Sequence, residues 1–194
     1  MDELVLFYYY CWLLWLLIYF FLPLSRVRTV MIIWILVFIL TSQLHVSIVA
    51  VQVSLSFIIL LIGTLVLFGL SHDRFYDLMI SFICMISYAG LLMWEKTAPV
   101  LFFIPSTIII PFLIAVSILL LIHSFHHRMI VVVIGLSFGQ LLYELILMMY
   151  SLNDSIGNYF YMNYLLMTIL WLLIAECIIR CVKKMIRLTR TLLY

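Results

Sequence analysis

Charged residues are scarce in this sequence. Lys, Arg, Asp and Glu make up 9% of the 194 residues, whereas 69% of the residues are hydrophobic and 16% are aromatic. Soluble domains are roughly half apolar and a quarter charged. No aqueous fold could bury this much apolar surface, so the composition excludes a soluble domain and predicts an integral membrane protein. The net charge of +2 also gives no reason to expect nucleic-acid binding.

Cysteine is also rare, with four residues in the chain. All four lie within or at the edge of apolar runs and form no Cys-x-x-Cys pair: Cys11, Cys84, Cys177 and Cys181. Zinc ribbons need such pairs, and disulfide scaffolds need a small extracellular domain to cross-link. We therefore predict reduced cysteines, no metal and no cofactor.

Long apolar runs occupy most of the chain. Each approaches the roughly 20 residues that cross a bilayer as a helix. We predict an all-α bundle of seven transmembrane helices within residues 1–180, followed by a basic amphipathic cytoplasmic tail at 181–194. The predicted spans are 4–24, 29–44, 47–70, 75–94, 106–122, 129–150 and 159–180.

Basic residues fix the direction of these spans, because Lys and Arg near span ends are retained on the cytoplasmic side. With seven spans, only Lys96 lies on the outer side. The N-terminus is then outside and the C-terminus is cytoplasmic. The basic residues on the inner side are Arg26, Arg28, Arg74, Arg128, Arg180, Lys183, Lys184, Arg187 and Arg190.

A carboxylate inside a membrane span marks a candidate functional site, because it is costly unless it is protonated, paired or hydrated. Glu144 lies about 22 Å along the sixth span at 1.5 Å per residue. Several other polar residues reach a similar depth near the outer surface. One interpretation is an outward-facing cavity or proton-handling pair, and the other is a hydrogen-bonded clamp between helices. The residues of this outer layer are Glu144, His45, Gln140, Gln43, Gln52 and Asn163.

Two further features of the last spans are structural. Glu176 stands one helical turn before Arg180, the favourable order for an ion pair on one helix face. Gly135 and Gly139 form a G-x-x-x-G pattern, which predicts close packing against another helix. The same segment matches G-x-S-x-G around Ser137, but the hydrolase nucleophile needs a strand-turn-helix context.

The inner ends of the spans carry histidines and a basic tail. His123 and His127 are four residues apart, so with Asp73 or Asp77 they could bind a metal. Alternatively, these histidines simply sit at the interface, and we favour that interpretation. The tail combines basic and apolar residues, which predicts contact with anionic lipid or with a partner protein.

Two segments carry a family resemblance. SFICMISYAGLLMWE at 81–95 and GLSFGQLLYELIL at 135–147, with their spacing, resemble the YphA-like family of small multi-pass membrane proteins of Bacillus and relatives. The resemblance implies a location in the bacterial plasma membrane. It carries over no catalytic residue and no ligand.

The sequence therefore predicts a non-enzymatic accessory or assembly protein of the bacterial plasma membrane, with another membrane protein as a possible partner. The alternative is a small transporter or ligand-binding membrane protein that uses the outer polar layer around Glu144. An intramembrane enzyme ranks third, because no nucleophile, metal set or carboxylate pair reaches a common depth.

Overall fold

The computed structural model of the chain describes residues 2–21, 26–48, 51–69, 74–98, 105–150 and 157–192. Within these residues lie seven α-helices and two short β-strands. The helices are α1 (Asp2–Phe21), α2 (Arg26–Thr41), α3 (Leu55–Gly69), α4 (Arg74–Thr97), α5 (Ser106–Leu121), α6 (Phe125–Met149) and α7 (Tyr159–Leu192). The strands are β1 (His45–Ile48) and β2 (Val51–Ser54).

Helices α1 and α2 pack against each other in opposite directions. Near the start of α1, the ring of Phe7 lies 5.7 Å from the ring of Phe38, close to the end of α2. Near the end of α1, the guanidinium of Arg28, from the start of α2, lies 5.2 Å from the ring centre of Tyr19. This antiparallel pairing is what a chain produces when it crosses a bilayer and returns.

Four helices of the described chain are long and apolar enough to cross a membrane: α1, α4, α6 and α7. Helices α2, α3 and α5 are apolar but shorter, with 16, 15 and 16 residues. At 1.5 Å per residue, a helix of this length reaches about 24 Å, less than the roughly 30 Å hydrocarbon core. The prediction of a helical multi-pass membrane protein is confirmed at this level.

The predicted end of the second span, at 44, and the predicted start of the third, at 47, are wrong. Strands β1 and β2, which include the predicted start of the third span, pair in antiparallel orientation with His45 opposite Ser54, and we call this pair the hairpin. At the end of α2, the hydroxyl of Thr41 donates a hydrogen bond to the carbonyl of Val37 at 2.9 Å. Beyond it, β-branched residues alternate with polar ones, and that pattern favours strands. The hairpin lies beside the start of α7, where Ser54 Oγ donates to the carbonyl of Gly157 at 2.8 Å.

Among the described residues, α4 and α6 have the most extensive contact of any two helices, and the two glycines of α6 make their close approach possible. A methyl group on Gly135 would lie 2.7 Å from Cβ of Cys84, and one on Gly139 would lie 2.8 Å from Cδ1 of Tyr88. Both distances are below normal contact, so only glycine fits at these positions. The helix that packs on the G-x-x-x-G face is therefore α4.

Helix α7 continues without a break through Leu192. The boundary predicted at 180/181 therefore does not coincide with a helix end. No glycine or proline stands between 159 and 192, so nothing in the local sequence ends the helix there.

Candidate functional site

Glu144 lies on the buried side of α6, toward the end of the bundle that carries the hairpin, here called the hairpin end. Gln140 Nε2 donates to Glu144 Oε1 at 2.8 Å, and Tyr88 Oη of α4 donates to Gln140 Oε1 at 3.2 Å. Tyr88, Gln140 and Glu144 are at most 2% exposed. Because Gln140 uses both its amide nitrogen and its oxygen, it links the tyrosine of one helix to the carboxyl group of the other.

The other predicted members of this layer are not all buried with Glu144. Asn163 is 1% exposed, and its Nδ2 donates to Glu3 Oε2 of α1 at 2.8 Å. Gln43 is exposed and donates to Tyr8 Oη of α1 at 2.9 Å. His45 and Gln52, on the two strands, are exposed. The structure thus joins Gln140 to Glu144, links Asn163 and Gln43 to α1, and places His45 and Gln52 on the exposed strands. The outer polar layer around Glu144 stays a prediction.

Sequence reasoning missed the tyrosines that complete this end. The hydroxyls of Tyr161 and Ser137 lie 2.9 Å apart, and Ser137 Oγ also donates to the carbonyl of Val133 at 2.6 Å. Tyr161 looks like an interfacial aromatic residue, because it stands near the start of the last span. Instead it is 1% exposed. Its place two residues before Asn163 in the same helix was the available signal for a polar cluster.

A second contact of α7 reaches the C-terminal end of α4. Tyr164 Oη donates to Glu95 Oε2 at 3.1 Å, and it lies 3.3 Å from Ser106 Oγ at the start of α5. The Tyr164 and Tyr88 rings meet edge to face, with centroids 6.2 Å apart. One tyrosine therefore bonds α7 to both α4 and α5 at the hairpin end.

The opposite end of the bundle carries a separate charged network. His127 Nδ1 lies 2.9 Å from each carboxylate oxygen of Asp77, and the Asp77 side chain is fully buried whereas that of His127 is 23% exposed. Glu176 receives Arg180 Nε at 2.8 Å, and Arg128 Nη1 of α6 lies 3.3 Å from its other oxygen. Arg128, treated in the sequence as a topology signal only, is thus a buried partner of the predicted Glu176 to Arg180 ion pair.

These ionic contacts suit a low-dielectric setting, because charges of opposite sign are adjacent. Arg128 Nε also donates to the carbonyl of Ile122 at 2.6 Å, which ties the end of α5 to α6. Within the described residues, no group of three or more His, Cys, Asp or Glu side chains is placed to hold a metal ion. Asp73, which we considered as a ligand, lies outside the described residues.

The two polar ends are separated by a tightly packed middle. Along α4, Asp77 and Tyr88 are eleven residues apart, about 16 Å. Cys84 lies between them, is 5% exposed, and packs on Gly135 with no space for a methyl group. Cys84 and Gly135 therefore form a close contact of α4 with α6 between the two polar ends.

Comparison with known proteins identifies a family. No curated protein and no solved structure matches the chain. A family model described as YphA-like integral membrane protein matches residues 3–192, which confirms the resemblance carried by segments 81–95 and 135–147. Together with the long apolar helices, this match establishes a multi-pass integral membrane protein, and the chain belongs to the YphA-like family.

Proposed function

We propose that this protein is a non-enzymatic accessory or assembly protein of the bacterial plasma membrane. One observation carries the proposal: its buried polar side chains bond to one another across helix pairs. Tyr88 and Gln140 join α4 to α6, Ser137 and Tyr161 join α6 to α7, and Asn163 joins α7 to α1. Such bonds fix which helices are neighbours, and a scaffold with fixed helix order presents constant surfaces to a partner.

The surroundings of Ser137 support a non-enzymatic role. Its hydroxyl is engaged with the Val133 carbonyl and with Tyr161 in the middle of a continuous helix. A serine nucleophile needs an exposed hydroxyl beside a general base. The G-x-S-x-G match is better explained by the packing of Gly135 and Gly139 on α4.

The proposal includes seven crossings with the N-terminus outside. The basic residues support this orientation, and so does the pairing of helix ends. Ser137, in the middle of α6, meets Tyr161 near the start of α7, whereas Arg128, near the start of α6, meets Glu176 farther along α7, so α6 and α7 are antiparallel. In this topology α1 and the two short helices α2 and α3, which are joined through the hairpin, would each cross the membrane. The basic end of α7 would then contact anionic lipid of the inner leaflet.

The alternative is a small transporter or ligand-binding protein that uses Glu144. The observation in its favour is the burial of this carboxyl group, 1% exposed, in a helix long enough to span the membrane. Ionisable groups at such positions often mark proton or ion sites. The closed packing at Cys84 and Gly135 supports the accessory role instead.

One set of purifications tests both functions. The tagged full chain, solubilised in mild detergent, is compared with Glu144→Gln and Glu144→Ala by mass spectrometry of co-purifying proteins and by thermal unfolding. For an assembly protein with a structural Glu144, we expect Glu144→Gln to keep the wild-type partner proteins and stability. Glu144→Ala should lower the free energy of unfolding by about 1 kcal/mol, the scale of one interhelical hydrogen bond.

Two results would contradict this expectation. Failure of any membrane protein to co-purify specifically, even after cross-linking in intact cells, would reject the assembly role. A Glu144→Gln protein that folds and keeps its partners but loses a proton or ion flux measured in vesicles would establish the transporter alternative.

A further inference from the structure

Within the described residues, the hairpin is open along β1 and packed along β2. Of the described elements, only β2 makes an extensive contact with β1, and His45, Val46 and Ser47 are all exposed. On the other strand, Ser54 is 1% exposed, and its hydroxyl donates to the carbonyl of Gly157. The accessible edge of this small sheet is therefore that of β1.

The register of the two strands determines which backbone groups face this edge. Successive pairs in an antiparallel sheet alternate between those that exchange hydrogen bonds and those that do not. The amide of Leu55 donates to the carbonyl of Leu44 at 2.8 Å, so the next pair, His45 with Ser54, does not exchange them. The same alternation applies to Ser47, two residues on. The backbone N–H and C=O groups of His45 and Ser47 therefore point away from β2, along the open edge.

An edge of this kind is a template for another strand. Exposed backbone donors and acceptors can pair with an extended chain that reaches them. Proteins often block such edges with lysine or proline, and residues 44–48 contain neither. A two-stranded sheet is marginally stable, and further strands stabilise it. The β1 edge is therefore suited to pairing with a third strand.

We propose that this third strand is β1 of a second copy of the chain, so that two hairpins form one four-stranded sheet. Antiparallel pairing about a two-fold axis at Val46 places His45 of each copy opposite Ser47 of the other. These residues then exchange hydrogen bonds in both directions, which gives four backbone bonds between the copies. All four use the groups that face away from β2. The dimer goes beyond the assembly role and does not depend on it.

Two features favour a second copy over a strand from a different protein. Val46 and, just before β1, Leu44 lie on one face of the sheet, because side chains alternate along a strand. They are 42% and 54% exposed, and in the two-fold register the Val46 side chains of the two copies meet on this apolar face. Each copy also carries its hairpin at the same depth in the membrane, so the two edges meet at one height.

Disulfide cross-linking in native membranes tests the register. The exposed Cys177 and Cys181 are replaced by serine, and either Val46→Cys or Ser47→Cys is introduced into the full chain. In the two-fold register, the Cα atoms of the two residues 46 are about 4.5 Å apart, within the range of a disulfide. Those of the two residues 47 are roughly 8 to 9 Å apart, beyond that range. We expect mild oxidation to give at least tenfold more covalent dimer with Val46→Cys than with Ser47→Cys.

Proline substitutions test which edge pairs. The N–H of Ser47 faces away from β2, so Ser47→Pro keeps the hairpin and removes two of the four bonds between copies. We expect it to raise the dimer dissociation constant about thirtyfold, the equivalent of two hydrogen bonds of roughly 1 kcal/mol each. Native mass spectrometry of the purified full chain at increasing dilution measures this constant. Gln52→Pro is the matched control, because the N–H of the exposed Gln52 faces the other edge, and it should dimerise as the wild type does.

Several results would overturn the proposal. They are a wild-type chain that stays monomeric in both experiments, equal cross-linking of Val46→Cys and Ser47→Cys, and equal dissociation constants of Ser47→Pro and Gln52→Pro. Cross-linking of Val46→Cys to a different protein, without a covalent dimer, would also reject it. Because the cross-linking variants keep every backbone N–H, a folding defect in Ser47→Pro would leave the first experiment decisive.

Discussion

At the scale of the single residue, two glycines set the distance between α4 and α6. A Cβ atom on Gly135 would meet Cβ and Sγ of Cys84 at 2.7 Å and the carbonyl oxygen of Ser81 at 3.2 Å. One of these contacts is with backbone, which cannot move without shifting α4. The close packing in the middle of the bundle therefore depends on the absence of two side chains.

Gly135→Ala should destabilise the protein by about 1 to 3 kcal/mol, the usual cost of overpacking a filled interior. Gly90→Ala is the matched control, since a methyl group at Gly90 of α4 meets nothing within 4 Å. This control should be neutral or slightly stabilising, because alanine favours helix more than glycine does. Thermal unfolding in detergent measures both variants. Equal effects at Gly135 and Gly90 would contradict the packing argument.

The contacts of some single residues could be predicted from the sequence, and those of others could not. The closeness of Gly135 and Gly139 to a neighbouring helix follows from their spacing on one face, and so does the contact of Glu176 with Arg180. The identity of the neighbouring helix does not follow, because helical periodicity defines a face and not its partner. Tyr88 and Tyr161 were missed for this reason, since each finds its hydroxyl partner on another helix.

At the scale of the element, Glu176 of α7 forms an ion pair with Arg128, near the start of α6. Its carboxylate faces Arg128, whose side chain is 7% exposed, and Arg180, whose side chain is 71% exposed. The two ion pairs therefore contribute differently to stability, although they share one carboxylate. An exposed pair contributes little, whereas breaking a buried pair leaves a charge without compensation.

Glu176→Gln should lower the free energy of unfolding by about 3 kcal/mol, the lower end of the range for a broken buried pair, because Glu176 is itself 18% exposed. Arg180→Gln, the matched control, should cost less than about 1 kcal/mol. The readout is again thermal unfolding of the purified chain. If Arg180→Gln proved as damaging as Glu176→Gln, Arg128 would not be the partner that matters.

The helices were more predictable than the hairpin for a physical reason. A long apolar run such as 129–150 can satisfy its backbone in a membrane only as a helix. Residues 45–54 are β-branched and alternate with polar side chains, a pattern that either a strand or an apolar helix can accommodate. The high apolar content of the whole chain favoured the helix in our prediction, and the local alternation determined the structure.

At the scale of the whole molecule, the proposed seven crossings and the distribution of basic residues along the sequence imply a single orientation. Cysteines introduced at Asn153 and Lys183, in a chain whose native cysteines are replaced, should react with an impermeant thiol reagent from outside and from inside respectively. Lys183 is exposed on α7, so its replacement should leave packing unchanged. If both cysteines reacted in intact cells, or both reacted only in inverted vesicles, the seven-span topology would be rejected.

The unbroken length of α7 has a mechanical consequence. Its 34 residues extend about 51 Å, more than the roughly 40 to 45 Å of a bilayer with its headgroups. Because a continuous helix is stiff, a force applied at one end of α7 is transmitted along its axis to the other end. At its far end, Asn163 and Tyr164 are bonded to α1 and α4. A force applied at the basic end of α7 would thus reach those two helices at its opposite end.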